Sequence, residues 1–196
     1  MTSAQLLTRI QTLLDDAVSD HWSTTEIYAA LTDGQRAFIK EVLSKFTLRR
    51  RIDQSTPLPE VLRPLLTTDT GTTTKSLPIN YLLWVDVYGT SVPIYVREKG
   101  RGSSTRKNNT YLASSANQIY CSFNASQIVF ETNTNWTLEY VKKPSDISAS
   151  VNPTLDDMCM NAVIQFAFGF LLAKDKRTAE ANNAFALFKF YIDQLY

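Results

Sequence analysis

Histidine and cysteine are nearly missing from this chain: 196 residues hold one histidine, His21, and two cysteines, Cys121 and Cys159. Metal centres built from several imidazoles or thiolates are thereby excluded. A Cys–His or Ser–His couple could draw only on His21. An excess of one charge is missing too. Twenty Lys and Arg stand against nineteen Asp and Glu, a formal net charge of +1, so the chain as a whole is not built to coat nucleic acid. No apolar run approaches the roughly 20 residues a membrane-spanning helix needs; the longest, Ala162 to Ala173, stops at Lys174. There is no GxxxxGK[ST] phosphate loop and no internal repeat. Met1 to Leu14 lacks a basic lead followed by an apolar stretch, and reads as a short amphipathic helix, not a signal peptide. Without an export signal the two cysteines are expected to be free thiols.

What remains is globular in balance, 44% hydrophobic and 20% charged, at a length suited to one domain or two small ones. The order is helix, strand, helix. Leu6, Leu7, Ile10, Leu13 and Leu14 recur at helical spacing, with Ser3 as a possible cap and an end near Asp16. Ser23-Thr24-Thr25-Glu26 fits a capping box, with Trp22 and Ile27 placed for a hydrophobic staple. The helix it opens is expected over Thr24 to Ser44, and Gly34 in its middle implies close packing or a kink. Pro57, Pro59 and Pro64 then break helices, and the Thr-rich stretch Thr67 to Ser76 reads as a surface loop. Tyr81 to Tyr88 reads as a strand with Val92 to Val96 as its hairpin partner, and Ile119 to Val141 as a three-stranded antiparallel meander. Pro153-Thr154 could start a third helix, apolar nearly all round from Leu155 to Leu172 and therefore buried on several sides. Ala181, Ala184, Phe185, Phe188, Tyr191, Ile192 and Leu195 stripe a last one. The expected class is α+β: a bundle of about four helices, from residues 1–52 and 150–196, with a loop-rich antiparallel β domain inserted at 53–149.

Catalytic chemistry has little to stand on. Cys121 alternates with apolar partners in a strand, Cys159 lies on an apolar helix face, and both read as small core residues. Asp15, Asp16, Asp20 and Glu26 gather carboxylates at a helix end, with no second cluster to complete a metal site. No catalytic, cofactor or metal residue is therefore assigned. Two basic runs stand out: Arg49-Arg50-Arg51, and Arg97 to Lys107, which has five bases and only Glu98 as acid. The plain reading is a solvated helix end and an exposed loop. The sharper reading is a surface facing phosphates, weak per chain and additive when repeated.

Trp22-Ser23-Thr24-Thr25-Glu26-Ile27, followed by Ala30-Leu31-Thr32-Asp33-Gly34-Gln35-Arg36-Ala37, resembles the N-terminal region of the head–tail connector (adaptor) proteins of tailed bacteriophages. Leu77-Pro78 with the strand to Val87, the stretch from Tyr140 to Ile147 with its Pro-x-Asp-Ile, and the terminal pair of Ala- and aromatic-rich helices continue the likeness in order. The resemblance implies a structural protein of the virion's head–tail junction, assembled in the host cytoplasm. It would form a ring, commonly of twelve copies, bind the portal and a tail or nozzle protein, and pass DNA without sequence specificity. Membrane and cofactor play no part in it. It also implies that Phe185, Phe188, Tyr191 and Tyr196 meet the portal, and that Arg49, Arg50, Arg51, Arg101, Arg106 and Lys107 face the channel. Two rival readings are a tail-tube or tail-completion protein and a small hydrolase.

Overall fold

The computed structural model of the protein describes residues 1–16, 21–53, 55–89, 92–96, 114–115 and 118–195. It divides into two compact units, one made of Met1–Leu65 with Lys143–Tyr196 and the other of Leu66–Lys142. The class is α+β, with four α-helices, a short 3-10 helix and seven strands among the described residues.

In the helical unit, α1 (Ser3–Leu14) is capped by Thr2, not by Ser3. Thr2 and Gln5 exchange hydrogen bonds, the Gln5 amide to the Thr2 hydroxyl at 3.2 Å and the Thr2 amide to Gln5 Oε1 at 2.8 Å. Ser3 is buried instead, its amide donating to the Asn152 side chain at 2.9 Å. The second helix, α2, runs Thr24–Ile52, eight residues past the expected end at Ser44. No glycine or proline interrupts 45–52, and Phe46 is buried, so nothing stops the helix there. It is about 43 Å long. A 3-10 turn, Glu60–Leu65, buries Val61, Leu62 and Leu65. It therefore belongs with the helices rather than with the insertion, as does the segment 143–149, whose Ile147 is buried.

The last two helices are α3 (Asp157–Lys174) and α4 (Thr178–Leu195). Helix α3 packs against α1, α2 and α4, which is why its apolar residues run round the whole circumference. Its length and composition would suit a membrane span, yet half of it is buried inside the protein. The approach is close on two sides. A Cβ added at Gly34 of α2 would lie 2.7 Å from the Val163 carbonyl oxygen, and one added at Gly169 of α3 would lie 3.1 Å from Ala184 Cβ.

The second unit holds two sheets. One has the order β1 (Leu66–Gly71), β7 (Trp136–Lys142), β3 (Tyr81–Gly89), all antiparallel. The other has the order β2 (Lys75–Ser76), β6 (Gln127–Phe130), β5 (Ile119–Phe123), β4 (Ile94–Val96). Three sequence expectations change here. The Thr-rich stretch is not a loop: its β-branched Thr67, Thr68 and Thr70 lie in β1, paired with β7, and Lys75–Ser76 forms β2, paired with β6. Ile94–Val96 is not the hairpin partner of β3; it pairs parallel with β5 in the other sheet, so the unit is mixed rather than purely antiparallel. The meander stops after β5 and β6, because β7 crosses to become the centre of the first sheet. Trp136, Leu138, Tyr140 and Val141 are all buried, a demand only a central strand meets. Val87, Ile119, Cys121, Ile128, Phe130, Trp136, Leu138 and Tyr140, drawn from both sheets, form one core.

Candidate functional site

The corner before α2 takes up most of the residues that suggested chemistry. The Ser23 capping box forms as its spacing demands: the Glu26 amide donates to the Ser23 hydroxyl at 3.3 Å, and the Ser23 amide donates to Glu26 Oε2 at 3.2 Å. The Ser23 hydroxyl also donates to this carboxylate, which with the amide bond and nearby Lys174 holds the Glu26 pKa below its ordinary value of 4.5. Asp16 accepts the amides of Trp22 at 2.9 Å and His21 at 3.3 Å. Asp20 lies outside the described residues. Among the described residues no group of three acidic, His or Cys side chains could hold a metal ion.

His21 lies exposed, its Nε2 3.4 Å from Asp175 and its ring edge-on to Trp22. Cys121 and Cys159 are buried, and burial pushes both thiols up to about 12. Nucleophilic cysteine needs a thiolate, so neither is primed for attack at neutral pH.

The cap itself is open to test. Ser23→Ala should cost about 1 kcal/mol. A carboxylate with a depressed pKa contributes stability above its unfolded pKa and loses it as pH falls through the folded one. The difference between parent and variant should therefore be full at pH 7 and shrink at pH 3, below the ordinary 4.5. Thermal unfolding followed by circular dichroism at both pH values measures it.

A second constellation gathers residues that in the sequence form only a motif. Gln35 is fully buried in α2; its Nε2 donates to the Ser145 carbonyl at 3.1 Å and its Oε1 accepts the Thr154 amide at 2.9 Å. Buried Thr32 accepts the Ile147 amide at 2.9 Å. The Arg36 guanidinium spans Asp146 at 2.6 Å and Asp33 at 3.4 Å. Thr32, Asp33, Gln35 and Arg36 thus clamp the chain where it returns from the β unit, and the Pro-x-Asp-Ile stretch is what they hold. The available signal was two polar residues, Thr32 and Gln35, on the apolar face of a helix. Beside the clamp runs a groove of about 440 Å³, lined in part by Thr25, Tyr28, Ala29, Arg36, Asp146 and Ile147.

The four aromatic candidates of α4 separate. Phe188 is buried, its ring edge-on to Phe166 at 5.2 Å, so it packs within the helical unit. Phe185 is half-buried against the same ring, and Tyr191 is half-buried against Phe190. Tyr196 lies outside the described residues. The exposed apolar groups of α4 are Leu187 and Phe190, neither on the periodic stripe. Of the basic candidates, Arg49, Arg50 and Arg51 form the last turn of α2, with the Arg50 guanidinium over the Phe46 ring at 5.7 Å. Arg101, Arg106 and Lys107 lie outside the described residues.

Comparison with known proteins gives one family. The family model described as the SU10 adaptor protein matches residues 1–195. No curated protein matches the chain.

Proposed function

This chain belongs to the SU10 adaptor protein family, phage head–tail adaptors and structural components of the virion, and on that premise we propose that it forms a ring joining the portal to the tail. The ring would hold twelve copies, sit at the head–tail junction after assembly in the host cytoplasm, and continue the DNA channel towards a tail or nozzle protein. The observation that carries this reading is the family match along nearly the whole chain, helices and β unit alike.

Particular surfaces support it. The outer face of α4 presents Leu187 and Phe190, exposed by 44% and 53%, with Phe185 and Tyr191 half-buried at its margin. Clustered apolar groups of this kind mark a surface that meets a partner. The portal is the partner we assign them, with Tyr196 continuing the same end of the chain. Phe188 supports that face from beneath. Arg50, Arg51, Arg101, Arg106 and Lys107 would border the channel, where a few cations per copy, multiplied around a ring, hold phosphates without reading sequence.

Mixing the purified chain with portal rings and weighing the product tests the reading. The parent should add a ring of itself to the portal. Leu187→Asp with Phe190→Asp should keep helical circular dichroism and lose at least tenfold in portal binding. Replacing Arg101, Arg106 and Lys107 by glutamine should spare the ring and impair DNA retention in assembled particles. A parent chain that stays monomeric beside portal rings would sink the proposal.

A further inference from the structure

The two ends of α2 carry surfaces that complement one another. From Lys45 to Arg51 the helix has four cations and no acid, with Lys45 already paired to Asp193 of α4. Leu48 and Ile52 are exposed there one turn apart, Ile52 by 91%, and exposed Arg49 adjoins them. The groove beside the N-terminal half of the same helix has the opposite character. Tyr28, Ala29 and Ile147 contribute apolar lining, and two exposed or half-buried carboxylates, Asp33 and Asp146, share the single guanidinium of Arg36. One negative charge is left over among these groups. At about 440 Å³ the groove is in the size range that holds several side-chain-sized groups.

These surfaces cannot meet within one molecule. Asp33 and Arg49 are sixteen residues apart on one continuous helix, about 24 Å along its axis. They can meet between copies, and a joined pair then still offers one unused tail and one unused groove. Such a head-to-tail contact closes into a ring when its rotation allows.

We infer that the C-terminal end of α2 docks into the α2 groove of a neighbouring copy. Leu48 and Ile52 lie on its apolar lining, and Arg49 lies against the Asp33 and Asp146 carboxylates. The inference rests on the ring proposed above and assigns its subunit contact. It also gives the clamp a second role, since by fixing Asp146 and Ile147 against α2, Thr32, Gln35 and Arg36 hold one wall of the socket in place.

The test uses portal-bound rings. Ala29 and Ile52 are both exposed, and the native thiols are buried, so Ala29→Cys with Ile52→Cys introduces the reactive pair. Oxidation should give a ladder of disulfide-linked copies on a non-reducing gel, and neither single variant should give more than a dimer. Independently, Arg49→Glu and Asp146→Arg should each weaken cohesion between copies about fivefold, and the two together should restore it. The ladder or the charge-swap rescue upholds the contact. A ring that sits on the portal and shows neither overturns it while leaving the adaptor reading intact. A chain that never joins the portal overturns both.

Discussion

Gly34→Val should lower the melting temperature of the helical unit by about 6 °C. The added Cβ would fall 2.7 Å from the Val163 carbonyl oxygen and 3.5 Å from Phe166 Cβ. The first of these is backbone, which cannot rotate away. Nor has α3 room to retreat, since Gly169 on its other side already meets Ala184 and Phe185. Overpacking a filled core costs about 1–3 kcal/mol, and the γ-methyls of valine push towards the upper end. A non-glycine residue in mid-helix returns some of this through propensity, less for β-branched valine than for alanine. A net loss of about 2 kcal/mol corresponds to roughly 6 °C in a chain of this size. Thermal unfolding followed by the helical circular dichroism signal measures it. A midpoint within about 2 °C of the parent would mean that α3 can shift.

The second large effect is expected at Trp136. Its indole is 2% exposed, stacks on Phe130 with centroids 5.2 Å apart, and donates from Nε1 to the Thr73 carbonyl at 3.0 Å. It lies over Gly71, where a Cβ would fall 2.4 Å from the ring. Trp136→Ala empties the centre of the β core and should cost about 3–5 kcal/mol. Amide hydrogen exchange locates the loss. Strands β3 and β7 should lose protection while α3, in the other unit with its own core, keeps it. Unchanged protection in β7 would show that the indole is dispensable.

What the sequence made legible was local. The Ser23 capping box depends on residues within one turn, while the glycine at 34 and the apolar circumference of α3 announce a close contact without naming its partner. The strand partners did not yield in this way. Alternation in Trp136–Val141 says that a face is buried, but it does not say that β1 and β3 flank the strand. The start of the Thr-rich stretch was also ambiguous: Thr67, Thr68 and Thr70 suit a polar loop as well as an edge strand, and the pairing with β7 decides between them. The clamp was legible by half. Asp33-Gly34-Gln35-Arg36 stood out as a motif, whereas its partners Ser145, Asp146 and Thr154 lie more than a hundred residues away. In α4 the periodic stripe marked the residues that pack inward. A contact face lies on the other side of a helix, so Leu187 and Phe190 were visible only as departures from the stripe.

The β unit enters at Leu66 and leaves at Lys142, and Leu66 is paired across the sheet with Val141. Its doorway is therefore about 5 Å wide, the spacing of two antiparallel neighbours. From the side of the helices, some 77 residues present the same end-to-end span as a tight hairpin would. Closing a longer loop through such a doorway adds only a slowly growing entropic cost. The insertion can accordingly lengthen, shorten or change its surface while the helices keep their register, like a cartridge exchanged in a fixed housing. Freedom to change surface and constancy in how the helices pack are thereby assigned to different stretches of chain.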